Sequence, residues 1–158
     1  MLSKKRKTFV WIISVLIALT LGFIWVHSCF PPDLSEEEST TATNVVQRVF
    51  DAIFGEGKLY IDEAVIRKLA HFSEFFALGT EFALLVIALK RESYKSYLTL
   101  LPMGLFVGAV DETIQIFSDR GAAVLDVLLD FFGYSVAVGL FILIFFICTK
   151  KKKSTKTE

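Results

Sequence analysis

The sequence is poor in charge and in cysteine, and it has no surplus of either sign of charge. Charged residues make up 22% of the chain, and its 17 basic residues are balanced by 17 acidic ones. An average soluble domain has a charged fraction of about 25%. Zero net charge is uninformative by itself, and it is the uneven apolar excess that argues against a nucleic-acid binder. Two cysteines are too few for a secreted disulfide scaffold.

Hydrophobic residues, in contrast, are abundant and unevenly distributed. They make up 54% of the 158 residues, with a mean hydropathy of +0.58. Most lie in four blocks at roughly residues 9–26, 69–89, 98–117 and 124–148. Each block is close to the ~20 residues that an α-helix needs to cross a bilayer. The sequence therefore predicts an all-α membrane protein, a four-transmembrane-helix bundle formed by one domain over residues 1–158, rather than an ordinary cytosolic enzyme.

The distribution of basic residues predicts the orientation in the membrane. Twelve of the 17 lie before the first block, between the second and third, or after the fourth, at Lys4–Lys7, Lys90, Arg91, Lys95, Lys150–Lys153 and Lys156. Only Glu92 and Glu158 accompany them among the acidic residues. Because basic loops stay in the cytoplasm, we expect a multi-pass protein of the bacterial cell membrane with both termini cytoplasmic.

The first block also resembles a signal peptide, since Lys4–Lys7 precede an apolar run that ends in Val26–Cys29, a poor lipoprotein cleavage site. The run is longer than a usual signal core, which favours a membrane span. In the predicted topology Cys29 and Cys148 lie on opposite sides of the membrane, so they form neither a disulfide nor a metal site.

The segment of residues 31–66 is the only sizeable external region. Pro31 and Pro32 end the first helix, and Asp33–Ser39 form an acidic, solvated stretch. Apolar residues then recur in a pattern typical of an amphipathic helix over residues 45–54. This extra extracellular helix either rests on the membrane as a linker or covers a site, and the sequence leaves both open.

Ionisable residues interrupt three of the spans at matching depths. The second span has a stripe of Arg67, His71, Glu74, Leu78 and Glu81, the third has Asp111, Glu112 and Gln115, and the fourth has Asp126 and Asp130. A charge at the bilayer centre costs at least ~2.5–3.5 kcal/mol, so such residues face inward, pair, or line a wet cavity. In antiparallel neighbouring helices these positions meet near the outer face. The sequence therefore predicts a polar pocket there.

Small residues share the polar faces and predict close helix contacts. They are Gly104 and Gly108 in the third span, Gly133 and Ala137 in the fourth, and Ser14, Ala18 and Gly22 in the first.

Three cations, Arg67, Lys68 and Arg120, surround the mouth of the predicted pocket. They either bind a phosphate or carboxylate or neutralise the neighbouring acids.

Three sequence motifs and one serine resemble those of VanZ-like proteins. Arg67–Phe75 is similar to the family block RK-x-x-HF-x-E-[YF], and Asp111–Phe117 followed by Arg120 is similar to DE-x-x-Q-x-F…R. Asp126–Gly133 is similar to the closing D-V-x-x-[ND]-x-x-G, and Ser28 resembles a serine in the tail of the family's first span. The motifs occur in the family's order and cover nearly the whole chain.

The resemblance implies a bacterial cell-envelope protein and associates the chain with resistance to the glycopeptide teicoplanin. The chain departs from the usual pattern at Phe75, where tyrosine is common, at Ser118 and Asp119, where Pro-Gly often precedes the arginine, and at Asp130, where an aspartate replaces asparagine. Asp130 adds a carboxyl group to the pocket.

Several functions remain open. In a non-enzymatic membrane factor, the polar cluster would be a structural hydrogen-bond network. In an enzyme acting on an outer-leaflet lipid or peptidoglycan precursor, His71 or Glu74 would be the general base and Asp111 or Glu112 the partner acid. The substrate would then be bound by Arg67, Lys68, Gln115, Arg120, Asp126 and Asp130.

Two further alternatives are weaker. His71 and Glu74 form an i, i+3 pair like those of di-metal bundles, with Asp111, Glu112, Asp126 and Asp130 as further oxygen ligands. Only one histidine contributes, so the sequence assigns no metal and no cofactor. The second alternative is a transporter or proton relay that uses Glu81, but a four-span chain leaves little room for alternating access. The expected partners are membrane lipids, including a phosphate-bearing lipid or cell-wall precursor, and no nucleic acid.

Overall fold

The computed structural model describes residues 3–119, 121 and 123–154, and this part of the chain is helical without strands. Its six helices are α1 Lys4–Ser28, α2 Pro32–Phe54, α3 Glu63–Ala88, α4 Tyr94–Leu98, α5 Leu101–Phe117 and α6 Val124–Ser154. Four units are long and apolar enough to cross a membrane, namely α1, α3, α4 together with α5, and α6. The prediction of an all-α membrane protein with four spans is confirmed.

The four spanning units form a closed ring. α1 packs against α3, α3 against α6, α6 against α5 and α5 against α1, and the contact between α3 and α6 is the most extensive. Apolar side chains such as Ile17, Leu78, Val107 and Val138 fill the interior. Large apolar side chains also cover the outside of the ring. This surface suits the hydrocarbon of a bilayer, in which helices satisfy their own backbone hydrogen bonds.

Small residues allow close contact between α6 and its two neighbours, as the sequence predicts. A Cβ atom at Gly133 would lie 2.5 Å from the Phe72 carbonyl oxygen, and one at Gly79 would lie 2.7 Å from the Tyr134 carbonyl oxygen. A Cβ atom at Gly104 would overlap the Tyr134 ring. These glycines therefore set how closely α3 and α5 approach α6.

The predicted contact face of α1 is wrong. Ser14 and Ala18 are exposed, and a Cβ atom at Gly22 would have no neighbour within 4 Å among the described residues. The buried residues of α1 are instead Ile13, Ile17, Ile24 and Ser28. Branched apolar side chains fill the interior better than small ones, and the lipid-facing side of a helix tolerates small residues. Small-residue spacing alone therefore does not identify the contact face.

The third span differs from the single helix predicted over residues 98–117. It starts earlier, at Tyr94, because the Ser93 side chain accepts a hydrogen bond from the Ser96 amide and caps α4. The chain then turns before α5, whose first turn contains Pro102. Proline has no amide hydrogen to continue the α4 ladder, so the helix is interrupted there.

α2 is the additional helix, and it is longer than predicted. It begins at Pro32 instead of near residue 45, so the acidic stretch Asp33–Ser39 is helical. Proline is tolerated in the first helical turn, and Asp33 there complements the helix dipole. The helix ends at Gly55, whose φ of +94° suits glycine.

Candidate functional site

One buried polar side chain from each side of the ring lies at the same end of the bundle. Ser28 is the last residue of α1, His71 lies in the first half of α3, Asp111 in the second half of α5 and Asp130 in the first half of α6. The Asp111 and Asp130 residues are 0% exposed, and Ser28 is 1% exposed. We refer to these four residues as the buried cluster.

Asp111 is the best-connected residue of the buried cluster. Its Oδ1 accepts a short hydrogen bond from the Ser28 hydroxyl, which joins α5 to α1. Its Oδ2 accepts a hydrogen bond of 2.9 Å from Nε2 of Gln115, one turn along α5. Hydrogen bonds of this kind compensate a carboxylate for the loss of water. The Asp111 side chain is therefore fixed in position.

Asp130 has no such support. Neither of its carboxyl oxygens has a hydrogen-bond partner among the residues that the structure describes. Beside it is His71, whose Nδ1 lies 3.6 Å from Oδ1 of Asp130 and 3.9 Å from Oδ2 of Asp111. His71 therefore stands between two buried carboxyl groups, slightly beyond direct hydrogen-bonding distance.

A polar pocket of about 260 Å³ opens beside the buried cluster. Its lining comes from α2, α3, α5, the α5–α6 connection and α6. The lining residues are Pro32, Ser35, Glu36, Arg67, Lys68, His71, Glu112, Gln115, Asp119, Gly121, Asp126 and Leu129. The first turns of α2, for which the sequence leaves a membrane-resting linker and a cover over a site open, contribute Pro32, Ser35 and Glu36 to this lining.

Two cations stand at this pocket. Arg67 and Lys68 lie in the first turns of α3, which begins early because the Asp62 side chain accepts a hydrogen bond from the Ala64 amide. Both side chains are exposed. Neither forms an ion pair within 4 Å with any residue in the described ranges. Arg120, the third predicted cation, lies outside the described residues.

Two carboxylates of the pocket have different surroundings. Glu112 is buried, and its Oε2 accepts a hydrogen bond of 3.1 Å from the Ala123 amide, which fastens the connection between α5 and α6. Asp126 is half-buried in the first turn of α6 and lines the pocket. Both carboxylates line the pocket, and Glu112 in addition holds the α5–α6 connection.

Glu74 does not line this pocket. It lies on the α1 side of α3, where its Oε1 is 3.9 Å from Nδ1 of His27. Nε2 of His27 lies 3.0 Å from Oε2 of Glu38 in α2. Farther along the bundle, Glu81 accepts a hydrogen bond of 2.8 Å from Thr20. The predicted stripe on α3 is therefore divided, with His71 at the buried cluster and the two glutamates against α1.

The structure adds contributions that the sequence does not indicate. His27 links α1, α2 and α3, although the only sequence signal is its position beside Ser28 at the end of the first span. Ser35 and Glu36 line the pocket because α2 starts directly after α1. No periodicity within the acidic stretch Asp33–Ser39 marks these two residues.

The fold and the site define a class of protein. It is a four-span helical membrane protein with a buried histidine–carboxylate cluster and a polar pocket at one end of the bundle.

Within that class, the chain belongs to the VanZ/LLP1 family, whose sequence profile matches residues 8–146. The resemblance read from the sequence motifs is thereby confirmed. Neither a curated protein nor a solved structure matches the chain significantly.

Proposed function

We propose that this protein is a cell-envelope membrane protein that binds the polar headgroup of a phosphate-bearing lipid or cell-wall precursor in the pocket beside the buried cluster. The observation that carries the proposal is the adjacent pair Arg67 and Lys68, exposed at the pocket and without an ion pair in the described part of the chain. Guanidinium and ammonium groups in this setting suit a phosphate.

The rest of the lining fits the remainder of such a headgroup. Carboxylates from α2, α5, the α5–α6 connection and α6 line the pocket, at Glu36, Glu112, Asp119 and Asp126. Carboxylates accept hydrogen bonds from hydroxyl and amine groups, which sugars and peptides carry. A phosphate at the cations and a hydroxyl- or amine-bearing group at the carboxylates would use both parts of the lining.

The orientation predicted from the basic residues puts this pocket at the outer face of the membrane. A lipid or precursor bound there would belong to the outer leaflet, where glycopeptides reach their targets. An influence on teicoplanin susceptibility would then follow from altered handling of that lipid or precursor. This role agrees with the association that the VanZ resemblance carries.

Binding can be tested with the purified chain in lipid nanodiscs. Native mass spectrometry would compare retention of a diphosphate-bearing lipid by wild type and by Arg67→Gln/Lys68→Gln. The control is Arg48→Gln/Lys58→Gln, which removes the same charge from exposed positions outside the pocket. We expect loss of retention only in the pocket variant. Equal retention by all three proteins would overturn the proposal.

The role in cells is tested separately, by teicoplanin susceptibility. A strain carrying the wild-type chain and a strain lacking it should differ in the inhibitory concentration. The pocket variant should behave as the deletion while its membrane level stays normal. A pocket variant that restores the wild-type concentration would contradict the link between binding and phenotype.

A second candidate is an enzyme on the same headgroup, and the position of His71 favours it. His71 lines the pocket, and its Nδ1 faces the carboxyl groups of Asp111 and Asp130. Carboxyl groups at one imidazole nitrogen orient the ring, as general acid–base chemistry requires. His71→Gln and Asp111→Asn should then abolish the phenotype at normal protein levels. A full phenotype in either variant would exclude this candidate.

A further inference from the structure

We infer that His71, Asp111 and Asp130 form a binding site for one divalent metal ion of the Zn²⁺ or Mn²⁺ type. Each residue offers a ligand atom, and these atoms all lie within 4.8 Å of one another. The inference concerns the buried cluster and does not depend on the proposed lipid.

The side chain of Asp130 is the independent observation that indicates a ligand. It is 0% exposed, and neither carboxyl oxygen has a hydrogen-bond partner in the described part of the chain. A buried carboxylate that accepts no hydrogen bond is costly, and buried charges in proteins are paired or coordinate metals. Oδ1 of Asp130 lies 3.6 Å from Nδ1 of His71.

The spacing of the three groups suits one ion between them. Ligand atoms bound to tetrahedral zinc at about 2.0–2.2 Å lie roughly 3.4 Å from one another. Nδ1 of His71 is 3.6 Å from Asp130 and 3.9 Å from Asp111. All three ligand atoms lie within 4.8 Å of one another, so side-chain rotation would have to bring them closer around an ion. The three residues belong to α3, α5 and α6 and already meet inside the bundle.

The surrounding contacts support ligation. Ser28 and Gln115 donate hydrogen bonds to the two oxygens of Asp111, as outer-shell residues do to a ligating carboxylate. A nitrogen with two carboxylates suits Zn²⁺ or Mn²⁺ better than Mg²⁺, which prefers oxygen alone. Three protein ligands leave coordination positions open, and His71 and Gln115 also line the pocket. An ion here would be reachable from the pocket.

The experiment measures metal binding by the full chain, purified in detergent, stripped with chelator and incubated with Zn²⁺, Mn²⁺ or Mg²⁺ alone. Elemental analysis after removal of unbound ion should find a single Zn²⁺ or Mn²⁺ for each wild-type chain, and no Mg²⁺. Asp130→Asn and His71→Gln should weaken binding by at least roughly 10- to 100-fold, which outer-shell substitutions already reach. The control Glu81→Gln removes a carboxyl group bonded elsewhere, to Thr20, and should bind as wild type does.

Two results would overturn the inference. One is a folded wild-type chain that retains neither ion in stoichiometric amount. The other is equal retention by wild type and Asp130→Asn. Asp130→Asn removes a buried charge while keeping the side-chain shape, so it should fold, and thermal unfolding with and without ion verifies this. Because no lipid is present, failure here leaves the headgroup proposal standing, and loss of lipid retention leaves the metal site standing.

Discussion

The hydroxyl of Ser28, the last residue of α1, donates a hydrogen bond to Oδ1 of Asp111 in α5, which lies 83 positions further along the sequence. Both side chains are buried. The bond connects two neighbouring helices at the end of the bundle where the pocket lies, and it satisfies one oxygen of a carboxyl group that water does not reach.

Replacing Ser28 by alanine should therefore destabilise the bundle. Asp111 would keep Gln115 as a donor but would leave Oδ1 buried without one, at a cost of about 1–3 kcal/mol. Ser14→Ala is the control, because Ser14 is exposed and bonds only to the Val10 carbonyl oxygen. The free energy of unfolding in mixed detergent micelles measures both. Equal effects of the two substitutions would contradict the importance of the Ser28–Asp111 bond.

Gly133→Ala should separate α3 from α6. The added Cβ would lie 2.5 Å from the Phe72 carbonyl oxygen, and backbone cannot give way as a flexible side chain does. Overpacking of this kind costs about 1–3 kcal/mol. Gly139→Ala lies on the same helix with no neighbour within 4 Å in the described residues. It should be neutral or stabilise by up to ~1 kcal/mol through helix propensity. Thermal unfolding distinguishes the two variants. A Gly133→Ala variant as stable as wild type would contradict the close packing of α3 against α6.

The Thr20–Glu81 hydrogen bond should contribute coupling energy between α1 and α3. The Thr20 hydroxyl donates to Oε1 of Glu81 at 2.8 Å in the half-buried interface. A double-mutant cycle of Thr20→Val and Glu81→Met, which removes the acceptor, should give a coupling of about 0.6 kcal/mol and at most ~1.7 kcal/mol, as measured for hydrogen bonds between membrane helices. Thr8→Val, which among the described residues removes a bond to the Lys4 carbonyl oxygen, should show no coupling to Glu81→Met. A zero coupling at Thr20 would contradict the prediction.

The two cysteines provide a test of orientation. Both are free and exposed, and they lie near opposite ends of the bundle, Cys29 after α1 and Cys148 near the end of α6. If both termini are cytoplasmic, a membrane-impermeant maleimide should label Cys29 in intact cells and Cys148 only after permeabilisation. Cys29→Ser and Cys148→Ser assign each signal. Labelling of Cys148 alone in intact cells would mean the reverse orientation.

The predictability of the fold differed between its elements. The length of the hydrophobic blocks was sufficient to predict four spans, because a run of about 20 apolar residues is typical of a membrane-spanning helix. It did not predict the break between α4 and α5, which depends on a capping bond from Ser93 and on Pro102. It also underestimated α2, because helix formation in an acidic stretch leaves no apolar periodicity.

The candidate site was predictable in composition but not in arrangement. Depth in the spans indicates that His71, Asp111 and Asp130 share one end of the bundle, because ionisable groups avoid the bilayer centre and helices alternate in direction. Depth does not distinguish these three residues from Glu74, whose Oε1 lies 3.9 Å from Nδ1 of His27. A helix stripe of ~80° includes both directions, and only the positions of the neighbouring helices separate them.

The amino-acid sequence by itself determined the number of spans, the membrane class and the level at which the polar residues lie, because each follows from the transfer of residues between water and hydrocarbon along one helix. Tertiary structure alone decided which polar residues meet. Ser28 bonds to Asp111, Asp130 lies beside His71, and the first turns of α2 line the pocket. These contacts join residues from different helices, so they depend on the packing order of the ring and on the glycines that let α3 and α5 approach α6.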